Sequence, residues 1–113
     1  MLTRLMSKRK MAAATTSLGE IIIHDAAHNT FKAKTPSGGD LGNLDYRWTT
    51  KDSKTAVDFY HTYTSPEAQG RGIAAHLVKT AFEWAKKNNY VIIGTCSYVE
   101  AYINKNPEWR ALL

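Results

Sequence analysis

One cysteine, three prolines and the lack of any long apolar run set the outer limits on this 113-residue chain. Cys96 by itself cannot close an intramolecular disulfide, and it also removes a cysteine-built zinc site. His24 and His28 stand four apart, a spacing that chelates metal on a helix, but their neighbours read as strand and turn, so no metal is expected. The run Tyr90, Val91, Ile92 and Ile93 stops far short of the ~20 residues of a membrane span, so no membrane partner is expected. The length suits one domain, which buries roughly 65% of the surface its unfolded chain exposes and needs no staple. Two cores do not fit in it.

Acid is missing from residues 1–19, where Arg4, Lys8, Arg9 and Lys10 make a charge of +4. The rest of the chain holds eleven basic and ten acidic residues. The net charge of +5 therefore belongs mainly to one end, and the near-neutral body argues against a nucleic-acid-binding face. Residues 1–18 read as a separate basic arm, and residues 19–113 as the folded domain. The arm is rich in hydroxyls and lacks a continuous apolar stretch, so it reads either as a disordered tail or as a mitochondrial or plastid transit peptide. A cytoplasmic location is the expectation if it is a tail.

The body changes period midway. Residues 21–23, 31–34, 44–50 and 55–64 carry β-branched or alternating patterns broken by short polar connections, and so predict four antiparallel strands in succession. Alternation through the fourth strand sets Val57, Phe59, His61 and Tyr63 on one face. Residues 35–40 read as a loop by composition. Ile73, Leu77, Ala81 and Trp84 then recur at helical spacing, with Lys86 and Lys87 suited to the helix end. Residues 90–93 read as a strand buried on both faces, and a second helix starts near Ser97 and carries Val99, Tyr102 and Ile103 inward. The fold class is α+β: one twisted mixed sheet, antiparallel in strands 1–4, then helix, strand, helix.

The densest signal joins the fourth strand to the first helix: Gln69, Gly70, Arg71, Gly72, Ile73 and Ala74. A helix N-terminus exposes unpaired N–H groups with partial positive charge, and two glycines let a phosphate come close. Arg71 adds a charge that suits it. No Gly-Lys-Ser/Thr follows, which excludes a Walker A loop. The segment satisfies G-x-G-x-x-A, but no acid lies between Glu83 and Glu100 and only 38 residues follow Ala75, so a dinucleotide fold does not fit.

The same six residues match Q/R-x-x-G-x-G/A, the acetyl-CoA pyrophosphate motif of the GNAT N-acetyltransferase superfamily. His61 and Thr62, the run from Thr95 to Val99, and Lys105, Asn106, Pro107, Glu108 and Trp109 extend the likeness. From residue 19 onward the chain resembles the small stand-alone GNAT-like proteins. That resemblance implies a GNAT-like acyl-CoA N-acyltransferase fold and acetyl-CoA, or coenzyme A, as cosubstrate, with an amine of a small molecule or a protein as acceptor. It implies coenzyme A binding through Thr62, Tyr63 and Thr64 along the strand end, through Gln69, Gly70, Arg71, Gly72, Ile73 and Ala74, and through Lys105 and Asn106. It places the acceptor groove in residues 35–43.

Many members of the superfamily carry an Asn after the last strand and, seven residues later, a Tyr that protonates the leaving thiolate. Here Cys96 and Ile103 stand at those positions, and Tyr102 lies about 100° around the helix. Cys96 and His61 are the candidate catalytic residues, His61 as a base and Cys96 as nucleophile, acid or pocket wall. Two other readings stay open: a coenzyme-A-binding sensor or interaction module, and a small basic nucleic-acid binder. The expected state is a monomer or weak dimer.

Overall fold

A single sheet of six strands, laid side by side in chain order, dominates the computed structural model. The strands are β1 (Met11–Thr15), β2 (Ile21–Asp25), β3 (Thr30–Lys34), β4 (Asp40–Lys51), β5 (Lys54–Thr64) and β6 (Val91–Ile93). Helix α1 (Ile73–Lys87) connects β5 to β6, and helix α2 (Ser97–Lys105) follows β6. The structure describes residues 11–15 and 20–113. Strands β1 to β5 are antiparallel neighbours, and β6 runs parallel to β5. A parallel neighbour needs a crossover, and α1 supplies it. Among the described residues, no helix is long and apolar enough to cross a membrane.

The sheet departs from the sequence expectation at its start. Met11–Thr15, within the segment read as a basic arm, is a strand whose residues 12–14 face His24, Ile23 and Ile22 of β2. A run of alanines carries no period-two pattern, yet its backbone can still complete the edge of β2. Residues 1–10 and 16–18 of the arm, and with them most of the targeting reading, lie outside the described residues.

The third expected strand begins at Asp40 rather than Leu44, so residues 40–43 belong to β4 and the loop is confined to residues 35–39. Gly42 is the reason. A Cβ there would sit 2.5 Å from the Tyr63 carbonyl oxygen, so only glycine lets β4 and β5 approach this closely. The β4–β5 hairpin turns through Asp52 and Ser53, with φ of 52° and 66°, the paired left-handed geometry suited to a two-residue connection.

A bulge in β5 changes which side chains share a face. Phe59 pairs with Tyr46, but His61 pairs with Asp45, leaving Tyr60 as the extra residue. Val57 and Phe59 stay on the face covered by the helices, while beyond the bulge Thr62, paired with Leu44, occupies that face. His61 and Tyr63 turn to the opposite one. The single-face alternation of Val57, Phe59, His61 and Tyr63 therefore ends at Phe59. Strand β6 also differs from expectation: only Ile92 is buried, because β6 is the last strand of the sheet and Val91 and Ile93 are half exposed.

One side of the sheet carries the core. Ile73, Leu77, Val78, Ala81, Phe82 and Ala85 form the buried stripe of α1, packed on Phe31, Leu44, Tyr46, Val57 and Phe59. Each large apolar side chain so buried contributes about 1.5–3 kcal/mol. Lys86 and Lys87 occupy the last turn, the Asn88 amide donates to the Trp84 carbonyl at 2.8 Å, and Asn89 leaves the helix with φ of 61°. Val99 and Ile103 of α2 enter the same core, and Tyr102 packs edge-on against Phe82.

His24 lies within this aromatic layer, stacked on Phe31 at 4.1 Å and edge-on to Trp84, with Nε2 2.7 Å from the Tyr46 hydroxyl. Burial holds the imidazole below its ordinary pKa, against a smaller upward pull from Asp25. Burial also pushes the Tyr46 phenol up to about 12, with Tyr90 and Asp25 adding to it. The folded state thus binds a proton at His24 less readily than the unfolded chain, so stability is lost as pH falls through roughly 6.5 and is complete above it.

Two measurements check this layout. Denaturation midpoints of the wild type should fall between pH 7 and pH 5, and His24→Gln should flatten that fall; an unchanged slope would count against the buried neutral imidazole. Gly42→Ala should cost about 1–3 kcal/mol by forcing β4 from β5, and a variant as stable as wild type would contradict the close strand contact.

Candidate active site

Strand β5 outruns its parallel partner. Its ladder with β6 covers only Ala56, Val57 and Asp58, opposite Val91, Ile92 and Ile93. One further bond, from the Cys96 N–H to the Phe59 carbonyl at 3.1 Å, closes the junction. Residues 60–64 continue beyond it, bonded to β4 on one side and facing no described strand on the other. A wedge therefore opens between the end of β5, which carries Thr62, Tyr63 and Thr64, and the start of α2. Free backbone donors and acceptors along such an edge can take an extended amide-bearing ligand as an added strand.

The far end of the wedge is the glycine loop. The Ser65 N–H bonds the Leu41 carbonyl at 2.8 Å, a short 3-10 turn (Pro66–Ala68) follows, and Gly70 and Gly72 adopt φ of 81° and 75°. An added Cβ would meet nothing nearer than 4.0 Å at either glycine, so it is the left-handed backbone, not crowding, that calls for them. The first turn of α1 closes with the His76 N–H on the Gly72 carbonyl, so the N–H groups of Ile73, Ala74 and Ala75 are left at the helix end. Together with the helix dipole they make an anion-binding position. A cavity of about 200 Å³ lies against this loop, lined by Thr64, Gln69, Gly70, Gly72, Ile73 and Tyr98 among others.

Two exposed loop side chains reach back to the protein. The Gln69 amide reaches the Thr64 carbonyl at 3.5 Å. The Arg71 guanidinium lies 2.6 Å from the carboxylate of Glu20, a side chain only 3% exposed. Arg71 thus ties the loop to the start of β2. Glu20, 51 positions away, carries no local sequence signal that would have matched it to Arg71.

Cys96 marks the apex of the wedge and is the residue immediately before α2. Its sulfur lies 3.5 Å from the Thr62 hydroxyl. Partial burial opposes ionisation, but the Thr62 hydroxyl and the nearby N–H groups of Val99, Tyr98 and Thr62 outweigh it and hold the thiol below its ordinary pKa. The turn into α2 is tight: a Cβ at Gly94 would stand 2.9 Å from Val99 Cγ1. Asp58 fixes that turn. Its side chain is buried, one oxygen accepting from the Thr95 N–H at 3.3 Å and the other from Arg47 Nε at 3.0 Å. The sequence did carry a sign of this residue, an acid set among Ala56, Val57 and Phe59.

The remaining candidates divide. His61 is exposed and lies on the face that carries no described helix, across from Asp45, so it and Cys96 approach the wedge from opposite sides of the sheet. Lys105 and Asn106 end α2, about 13 Å along the helix from Cys96, where Asn106 donates to the Tyr102 carbonyl. Neither lines the cavity at the glycine loop. Ile103 is buried, and the Tyr102 ring is directed to Phe82. Tyr98 is the aromatic residue that borders the loop cavity. His28 pairs with Asp25 at 2.9 Å, and among the described residues no three His, Cys, Asp or Glu side chains gather as a metal site.

Comparison with known proteins agrees with this geometry. The model of the GCN5-related N-acetyl-transferase family matches residues 30–112. Protein NATD1 of Xenopus tropicalis is 31% identical over 84 residues, 74% of each chain, and human NATD1 is 29% identical over 103 residues, 85% of this chain and 88% of that one. A GCN5-like protein from Staphylococcus aureus, solved in solution by NMR, superposes with a TM-score of 0.58 at 26% identity, covering 74% of this chain and 79% of its own. A structure from Pyrococcus furiosus, at 24% identity and a TM-score of 0.57 over 67% of this chain and 56% of its own, shares the fold. A parallel pair that parts after three residues, a glycine loop opening the crossover helix and a match across most of the sequence lead to one assignment: the chain belongs to the GCN5-related N-acetyltransferase family.

Proposed function

We propose that this protein transfers an acetyl group from acetyl-CoA to an amine. The observation that carries the reading is the wedge itself, an open strand edge that ends on an anion-ready helix start and has a thiol at its apex. Backbone amides of the loop at Gly70, Gly72, Ile73 and Ala74 would hold the pyrophosphate, with Gln69 and Arg71 bracing the loop from behind. The edge at Thr62, Tyr63 and Thr64 would align the pantetheine arm, which brings the thioester toward Cys96. Acetyl-CoA supplies the activated acyl group when bound. His61 would take the proton that the incoming amine must lose, and Cys96 would give a proton to the departing sulfur. A thiol held below its ordinary pKa is a competent donor to an aliphatic thiolate, and this role stands in for the tyrosine that Ile103 replaces.

The buried Ile103 favours a second reading, in which the chain binds coenzyme A without turnover. Melting curves and turnover separate the two. Acetyl-CoA at 100 times its dissociation constant should stabilise the fold by about 2.7 kcal/mol. No shift at millimolar acetyl-CoA would remove both readings. A shift with no release of coenzyme A thiol across small amines and lysine peptides would leave only the second. Cys96→Ala and His61→Ala should each lower kcat by about 10²-fold or more, the lower range of general acid–base effects, while keeping the acetyl-CoA melting shift.

The thiol itself can be titrated. Alkylation of Cys96 should reach half its limiting rate below the pH of an ordinary cysteine, and Thr62→Val should move that midpoint upward. A midpoint indifferent to Thr62 would show that the hydroxyl does not tune the sulfur.

A further inference from the structure

A hollow of about 360 Å³ lies on the face of the sheet that carries no described helix and is lined in part by Thr30, Lys32, Lys34, Asp40, Asp45 and Tyr63. The carboxylates on this face are not equivalent. Asp25 meets His28 and Lys32, Asp40 meets Lys34 at 2.7 Å, and Asp58 meets Arg47. Asp45 has no cation within ion-pair distance among the described residues. It accepts from the Thr30 hydroxyl at 2.6 Å and from the Asn43 amide at 3.0 Å, both neutral donors. A carboxylate fixed by neutral donors keeps its full charge and spare lone pairs, so it is the position on this face where an incoming cation gains most.

The neighbours of Asp45 say what kind of cation fits. His61 is its cross-strand partner, so their Cβ atoms lie about 5 Å apart on the same face. Lys32 stands two residues along β3 from Thr30, roughly 7 Å away, and faces Asn43 across the strands. Its ammonium lies 3.4 Å from Asp25 and is 40% exposed, which leaves donors for a second anion. A ligand with its ammonium on Asp45 can extend toward the Lys32 ammonium, beyond which Lys34 is already paired with Asp40. The exposed part of the Lys32 ammonium can hold a carboxylate there.

We propose that this hollow is the acceptor site and that it takes a small primary amine bearing a carboxylate a few bonds away, with the ammonium on Asp45 and the carboxylate on Lys32. The inference rests on the acetyl-transfer reading above and assigns its unknown substrate class. In the step it serves, the ammonium gives one proton to the His61 imidazole. The freed nitrogen lone pair forms a C–N bond to the thioester carbonyl carbon, and the C–S bond breaks with its electron pair on sulfur. That sulfur takes the proton of Cys96, which is restored by the second proton the nitrogen sheds. The products are an N-acetyl amine, coenzyme A and one proton held on His61. The bulge at Tyr60 makes this two-sided arrangement, because it puts His61 on the face that carries the hollow, beside Asp45, and Thr62 on the side of Cys96.

The test follows coenzyme A thiol release with the full chain, acetyl-CoA and four probe sets: glycine, β-alanine and 4-aminobutyrate; propylamine; putrescine; and a lysine peptide. The carboxylated amines should exceed propylamine in kcat/KM by about two- to fivefold, the effect of one half-exposed ion pair. Asp45→Asn should raise KM about tenfold for every small amine, as expected when a charged hydrogen bond is lost. Lys32→Gln, an exposed change that should fold normally, should erase the preference for the carboxylated amines over propylamine. Both variants should keep the wild-type melting shift with acetyl-CoA. A missing shift in the wild type would sink the acetyl-transfer reading beneath the proposal. A normal shift with no small-amine turnover, with turnover confined to putrescine or the peptide, or with selectivity indifferent to Lys32, would overturn the acceptor assignment alone.

Discussion

The early end of the β5–β6 ladder is the constraint from which the site follows. Three paired residues on each strand make a parallel contact long enough to bind β6 to the sheet and too short to close it. The ladder stops because the chain turns away at Gly94, where only glycine tolerates the close approach of Val99. The Asp58 carboxylate then receives the Thr95 N–H, so the departing backbone keeps its hydrogen bonding although it has left the strand. A buried acid costs desolvation energy unless it is satisfied on all sides, and Arg47 meets the other oxygen. The same carboxylate that offsets the lost ladder also fixes where Cys96 sits.

The bulge at Tyr60 adds a second consequence. Without it, strict alternation would align His61 with Phe59 beneath the helices. With it, Thr62 takes that side and reaches the cysteine, while His61 and Tyr63 join the polar face. The Arg47 guanidinium, already bound to Asp58, also lies 4.9 Å from the Tyr60 ring centroid, so one cation serves both the bulge and the turn. One extra residue therefore separates a thiol-bearing side from an imidazole-bearing side across a single strand, as a reaction between two ligands arriving from different directions requires.

Helix α1 was legible in the sequence because its apolar stripe and its two terminal lysines are local patterns, and the glycine loop was legible because positive φ demands a residue type. The four-strand meander was legible for the same reason. The bulge was not: Tyr60 fits an ordinary strand position, and nothing in its neighbours marks an extra residue. The early start of β4 was hidden because Gly38, Gly39, Asp40 and Gly42 have loop composition, whereas Gly42 is a strand glycine required by the Tyr63 carbonyl of β5, distant in the chain. Residues 11–15 were hidden because alanine has no face to alternate. Features set by local chemistry could be read, and those set by a partner distant in the chain could not.

Arg71 shows how that distinction bears on charge. Its position in the loop suggests a cation for phosphate, but its guanidinium is held by Glu20, whose side chain is almost wholly buried. Losing Arg71 would take a charged partner from the buried Glu20 carboxylate, so Arg71 serves as an anchor of the loop. The positive potential at the loop then comes from the backbone: N–H groups left unpaired by the helix start, oriented by two left-handed glycines, and held still by an ion pair behind them. Rigid dipoles need no reorganisation when an anion arrives. That favours a site in which the protein's formal charge, concentrated in the first nineteen residues, has little part.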